Sequence, residues 1–138
     1  MNRVFITSRT VLFGDCDPAG VIFTPRLSYY VVEAMVAFSS ECFGIPAERF
    51  VMDLGMLPPT RSMTVEFLGR MTWDDLVTIR VWIKNLGRTS ITFAFDGEVR
   101  GEKVFQATLL QVWIDRDTKN PVAIPSSVVE ILSPYVER

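Results

Sequence analysis

The sequence predicts an α+β fold, with one long helix packed against a five-stranded antiparallel sheet in a single domain spanning residues 1–138. Three observations lead there. One long segment, Pro25 to about Cys42, carries apolar residues at helical spacing. Five other segments have the composition or the period-two alternation of strands. The last four of those follow one another with only turns between them, so no helix interleaves to make a parallel sheet. A chain of 138 residues fits one domain, and 49% apolar with 22% charged residues argues against disorder.

The first strand is read at Val4–Phe13, from its alternation and its Val, Phe, Ile and Thr content. Gly14-Asp15-Cys16-Asp17-Pro18-Ala19-Gly20 is loop chemistry. After Val21-Ile22-Phe23 comes Thr24-Pro25, a helix start signal: threonine caps, and proline at the first helical position gives up no needed donor. Leu27, Tyr30, Val31, Ala34, Phe38 and Cys42 keep the i, i+3/i+4 rhythm, and Gly44 with Pro46 ends it. Val32, Met35 and Val36 make further faces apolar, so this helix is expected to be buried on more than one side.

The period then changes to two. Met63, Val65 and Phe67 alternate with polar residues, as do Val77, Ile79, Val81 and Ile83. Two hairpin turns compete beyond them. Asp96-Gly97 is the stronger local signal. Arg100-Gly101-Glu102-Lys103 instead gives two length-matched strands, Thr89–Val99 and Val104–Ile114, and is preferred; Gly97 then lies inside a strand as a candidate bulge. Asp74-Asp75 reads as a turn and Ser126–Leu132 as a short helix. Val104–Ile114 is apolar on both sides, so a second copy of the chain is expected to cover it, making a homo-oligomer.

Composition narrows the chemistry. Fourteen basic against sixteen acidic residues leave a net charge of −2, which is no nucleic-acid footprint. Eleven of the basic residues are Arg, whose planar fork suits phosphate or carboxylate. The chain has no histidine, which excludes Ser-His-Asp and Cys-His catalysis within it and His-based zinc. Cys16 and Cys42 are too far apart for a CxxC motif and read as core fillers. No apolar run reaches the roughly 18 residues of a membrane span, and Met1–Phe13 has no signal-peptide core. The expectation is a cytoplasmic protein without metal, membrane or nucleic-acid partner.

Asp15 and Asp17 stand just before a helix start, where unpaired N–H groups and roughly half a positive charge collect. Such an end can polarise a carbonyl, and a carboxylate beside it can act as nucleophile or general base. Together they suit hydrolysis of an activated acyl compound without histidine or metal. The plainer alternative is one Asp in a turn and one in solvent.

The segment Phe13-Gly14-Asp15-Cys16-Asp17-Pro18-Ala19-Gly20-Val21, with Thr24-Pro25 and the helix following, closely resembles the 4-hydroxybenzoyl-CoA thioesterase family. The specific part is these thirteen residues, while element order matches over nearly the whole chain. The resemblance implies a hotdog fold, a sheet wrapped around one long central helix. It implies dimers joined edge to edge, paired into a homotetramer, with active sites at the subunit interface. It places the catalytic carboxylate on Asp17, as nucleophile or general base, and the N–H that grips the thioester carbonyl near Thr24. Phe23 and Arg26 fall among the substrate contacts, with Arg26 where the family often has asparagine. The CoA phosphates fall to Lys84, Arg88, Thr89 and Ser90, with Arg88 the leading candidate. Glu33 either lines the acyl pocket or pairs with an arginine across an interface. No cofactor is implied, since CoA is part of the acyl-CoA substrate.

The expected function is therefore an acyl-CoA thioesterase, with aromatic acyl groups such as 4-hydroxybenzoyl favoured and short or branched ones open. The alternative is a hotdog module that binds acyl-CoA without turnover, against which a retained Asp17 speaks. Hydratase chemistry normally uses a histidine that this chain lacks.

Overall fold

Alternating segments can bury one face only by pairing side by side. In the computed structural model, which describes residues 1–138, they do so antiparallel in the order β1-β4-β5-β6-β3. The strands are β1 (Phe5–Thr10), β3 (Thr60–Phe67), β4 (Leu76–Leu86), β5 (Ser90–Val99) and β6 (Glu102–Val112). Two-residue strands β2 (Met56–Leu57) and β7 (Ile114–Asp115) form a separate pair. There are three α-helices: α1 (Arg26–Phe43), α2 (Ala47–Asp53) and α3 (Ser126–Leu132). No helix is long and apolar enough to cross a membrane.

Val77, Ile79, Val81 and Ile83 of β4 turn inward, as do Ile91, Phe93 and Phe95 of β5. Leu27, Tyr30, Val31, Ala34 and Phe38 of α1 meet them in one core of 26 buried residues. Burying a side chain such as Phe38 contributes about 1.5–3 kcal/mol. The helix stops where Gly44 takes the left-handed conformation (φ 75°), which costs little only without a Cβ.

Several expectations need correction. Strand β1 ends at Thr10, because Phe13–Asp15 folds into a 3-10 turn. Thr24 does not cap α1 through its side chain; Pro25 holds the cap position, and the Arg26 N–H donates to Phe23 O at 2.7 Å. Tyr29, Val32 and Val36 stay exposed, so α1 is buried along one side rather than nearly all round. The seven residues of α2 are too few to show a period, and Phe50 there stacks on Phe43 with centroids 4.1 Å apart. The second face of β6 is less apolar than expected, since Gln106 and Thr108 break it. They bond Glu66 at 3.0 Å and Thr64 at 2.5 Å.

The hairpin preference is met: Arg100 (φ 50°) and Gly101 (φ 81°) make the turn, and Asp96 pairs with Gln106 inside the ladder. The register shifts beside Gly97, where the buried Phe105 ring lies over the glycine. A Cβ at Gly97 would come within 2.0 Å of Phe105 Cε2. Gly97→Ala is therefore expected to cost about 1–3 kcal/mol through forced repacking, read as a lower midpoint in urea; an unchanged midpoint would show that the ring has room to move.

Candidate active site

The acidic loop is built as a miniature hairpin. Cys16 bridges Ile22, the Asp17 N–H donates to Val21 O at 2.9 Å, and the Gly20 N–H returns to Asp17 O at 2.9 Å. Gly20 has φ 82°, the conformation such a turn requires. The hairpin docks on the chain leading into β4, where Ile22 donates to Met71 O and Val21 bridges Thr72. Asp17 is half-buried, and its Oδ1 accepts the Ala19 N–H at 2.9 Å. Its other carboxylate oxygen has no partner in the chain and no cation within 4.0 Å.

Asp15 is the buried anchor of this loop. Its Oδ2 accepts the Tyr30 hydroxyl at 2.6 Å and the Leu12 N–H at 3.0 Å. Arg26 Nε lies 3.5 Å from its Oδ1 and an Arg9 Nη 3.9 Å from its Oδ2. Its backbone oxygen takes the Phe23 N–H at 2.8 Å. Burial alone would push this carboxyl up, but Tyr30, Leu12 and the two guanidiniums together hold it below the ordinary carboxylate range. Burial and the same contact push the Tyr30 hydroxyl up.

The N–H groups entering α1 can be accounted for one by one. Ile22 donates to Met71 O, Phe23 to Asp15 O and Arg26 to Phe23 O, while Pro25 has none. The Thr24 N–H has no acceptor in the chain. Thr24 and Asp17 line one cleft of about 200 Å³ with Val21, Ile22, Phe67 and Met71, and Arg70 stands on its wall. A residue with an unshared carboxylate oxygen and a residue with an unshared helix-start amide thus line the same cleft. Asp17 also borders a second, wider cleft of about 600 Å³, walled by Phe13 and Trp73, whose rings meet edge to face at 5.5 Å.

Other expected residues lie elsewhere. Phe23 is exposed and lines neither cleft. Arg26 is engaged with Asp15 and lies over the Tyr29 ring at 4.9 Å. Glu33 pairs with Arg9 of its own chain, 3.1 Å from Nε at an angle too bent for a hydrogen bond, so the expected partner across an interface is not needed. Arg88 and Thr89 sit in the turn before β5, whose first residue is Ser90, and Lys84 lies near the end of β4. Asp17 sits near the start of that strand, eleven residues or roughly 33 Å away. One chain therefore does not bring the two groups together. Sequence reasoning missed Arg70, Phe67, Phe13 and Trp73. An exposed Trp in a turn was the only available signal, because the neighbours belong to distant segments. No three Cys, Asp or Glu side chains converge as a metal site requires.

A carboxylate turn, a free helix-start amide and a cleft lined by both residues are the parts that acyl-transfer chemistry calls for, and they sit on a five-stranded antiparallel sheet. The model of the thioesterase-like superfamily matches residues 11–132, and the chain belongs to that family. Its fold is the hotdog-like thioesterase fold. The chain is 25% identical to a 4-hydroxybenzoyl-CoA thioesterase of Pseudomonas sp. strain CBS-3, over 96% of this chain and 100% of that one. It is 27% identical to a 1,4-dihydroxy-2-naphthoyl-CoA hydrolase of Prochlorococcus marinus, over 89% and 85% of the two chains. The crystal structure of a thioesterase superfamily member from Jannaschia sp. CCS1 superposes with a TM-score of 0.90 at 26% identity, covering 98% of this chain and 94% of that one.

The Asp15 carboxyl titrates below its ordinary 3.8, so folding favours its ionised form. That stabilisation is complete above pH 3.8 and is lost as pH falls through the lower folded value. Asp15→Asn should therefore be less stable than the parent at pH 6, with the gap narrowing only below pH 3.8, as urea unfolding at pH 6 and pH 3 will show.

Proposed function

We propose that the protein hydrolyses an acyl-CoA thioester to the free acid and CoA, with an aromatic acyl group preferred. The observation that carries this reading is that Asp17, with an unshared carboxylate oxygen, and Thr24, with an unshared N–H, line one cleft. In the proposed mechanism the Thr24 N–H donates a hydrogen bond to the thioester carbonyl oxygen, and the N-terminal end of α1 favours the negative charge that develops there. Asp17 then has two routes. As nucleophile it adds to the carbonyl carbon, the C–S bond breaks, CoA thiolate leaves, and water cleaves the mixed anhydride, regenerating the carboxylate. As general base it takes the proton of a water that attacks the same carbon. Neither route calls on histidine or a metal.

The small cleft, walled by Val21, Ile22, Phe67 and Met71, has the size and character for one ring of an aromatic acyl group. The curated relatives act on aromatic CoA thioesters by their names, which supports the same substrate class here. Free thiols at Cys16 and Cys42 fit a reducing compartment, and we place the protein in the cytoplasm.

We infer that a second copy completes the site. Strand β3 is an outer strand of the sheet with one row of backbone groups unpaired, and Phe67 and Leu68 beside it are exposed. Antiparallel pairing of β3 with its twin about a two-fold axis brings the far end of the partner's sheet to the Asp17 end of this one. The roughly 33 Å separation within one chain then becomes proximity between chains. Arg88 is exposed and serves the CoA phosphates of the neighbouring site. Lys84, Thr89 and Ser90 support it, and Phe23 and Arg26 border the entrance.

Thiol release from a panel of CoA esters tests the activity: Asp17→Asn should lower kcat at least a hundredfold, and near-normal turnover by that variant rules the mechanism out. Arg88→Ala should raise KM more than it lowers kcat. Mixed dimers of Asp17→Asn with Arg88→Ala chains should recover one fully competent site per dimer; no recovery would place Arg88 outside the shared site.

A further inference from the structure

We propose that Asp15 is a positioning residue of the thioester site, whose buried charge holds the Arg26 guanidinium and so leaves the Asp17 carboxylate without a cation. The inference rests on the proposed function and extends it. Cys16 between the two acids is extended, at φ −103° and ψ 153°. Asp15 and Asp17 are therefore about 6–7 Å apart at Cα, and their side chains leave the chain on the same side. An arginine long enough to sit 3.5 Å from Asp15 has the second carboxylate within a rotation of its side chain. Arg26 is about one-third exposed and free to make that rotation.

Two features hold Arg26 at Asp15. The Asp15 carboxylate is buried, where attraction is screened less than at the half-exposed Asp17. The Tyr29 ring supports the guanidinium from below, 4.9 Å from its centroid. Of the other charges near this region, Asp75 is paired with Arg100 at 2.8 Å. Arg9, from β1, is shared between Glu33 and Asp15 and covers the Tyr30 ring at 4.6 Å. Arg70, on the connection between β3 and β4, lines the Asp17 cleft without an ion pair. A guanidinium moved onto Asp17 would favour its charged form and make it a weaker base and nucleophile. The fold thus gives the two acids of the motif opposite tasks: one binds the cation and the other is kept from it.

The test is a double-mutant cycle in the full chain between Asp15→Asn and Arg26→Gln. Asparagine keeps an acceptor oxygen for the Tyr30 hydroxyl and the Leu12 N–H, so the loop retains its anchor. Thiol release from 4-hydroxybenzoyl-CoA is measured against pH, and the Asp17 carboxyl is titrated by carbon NMR. With Arg26 present, Asp15→Asn should lower kcat about tenfold with KM within about twofold, and move the acid limb down by about one pH unit. In the Arg26→Gln background the same change should have little effect on either readout. An equal loss in both backgrounds, or an Asp17 titration that stays in place when Asp15 is neutralised, overturns the proposal. If the parent chain releases no thiol, the proposed function fails, and the NMR cycle still decides whether Arg26 shifts to Asp17.

Discussion

A carboxylate taken out of water must be repaid by hydrogen bonds and opposite charge, or it will not stay ionised. At Asp15 that compensation comes from three parts of the chain at once: Arg9 on β1, the Leu12 N–H in the loop, and Tyr30 with Arg26 on α1. The contact is small in area and decisive in geometry. It fixes where the acidic hairpin lies relative to the start of α1, and its own backbone oxygen fixes Phe23, the residue before Thr24. Were the anchor slack, the Asp17 oxygen and the Thr24 N–H would face different parts of the surface.

The absence of histidine shapes everything the site can do. In the proposed mechanism, which has no imidazole to draw on, proton traffic and nucleophilic attack both fall to a carboxylate, and polarisation of the carbonyl falls to backbone. In the proposed chemistry these are cheap elements to supply, because a tight hairpin presents one and a helix start presents the other. The sheet's role is support. Its inner face gives α1 a rigid seat through Leu27, Tyr30 and Phe38, while polar side chains pair across its outer face.

In the proposed reading, the separation of Asp17 from the Arg88 turn leaves the site incomplete in one chain. Antiparallel strands of ten or eleven residues put their two ends far apart, and a two-fold axis along an outer strand reverses that arrangement. The exposed Phe67 and Leu68 at that strand, and Tyr29, Val32 and Val36 on α1, are the apolar surfaces such an arrangement would cover.

Much of the fold was legible because periodicity is a local property. The strands at Val77–Ile83 and around Arg100-Gly101, and the helix at Ser126–Leu132, follow from alternation, turn chemistry and length alone. The same holds for the acidic motif, whose residues are contiguous. Helix α2 and the β2-β7 pair were invisible because segments of seven and two residues carry no period. The partners of Asp15, the free state of the Thr24 N–H, the cleft wall at Phe67, Arg70 and Met71, and the pairing of Glu33 with Arg9 could not be read in advance. Each joins residues far apart in the chain, and only the packed structure decides which distant groups meet. The sequence determined which chemistry was available; tertiary contacts decided which acid is anchored and which is left open.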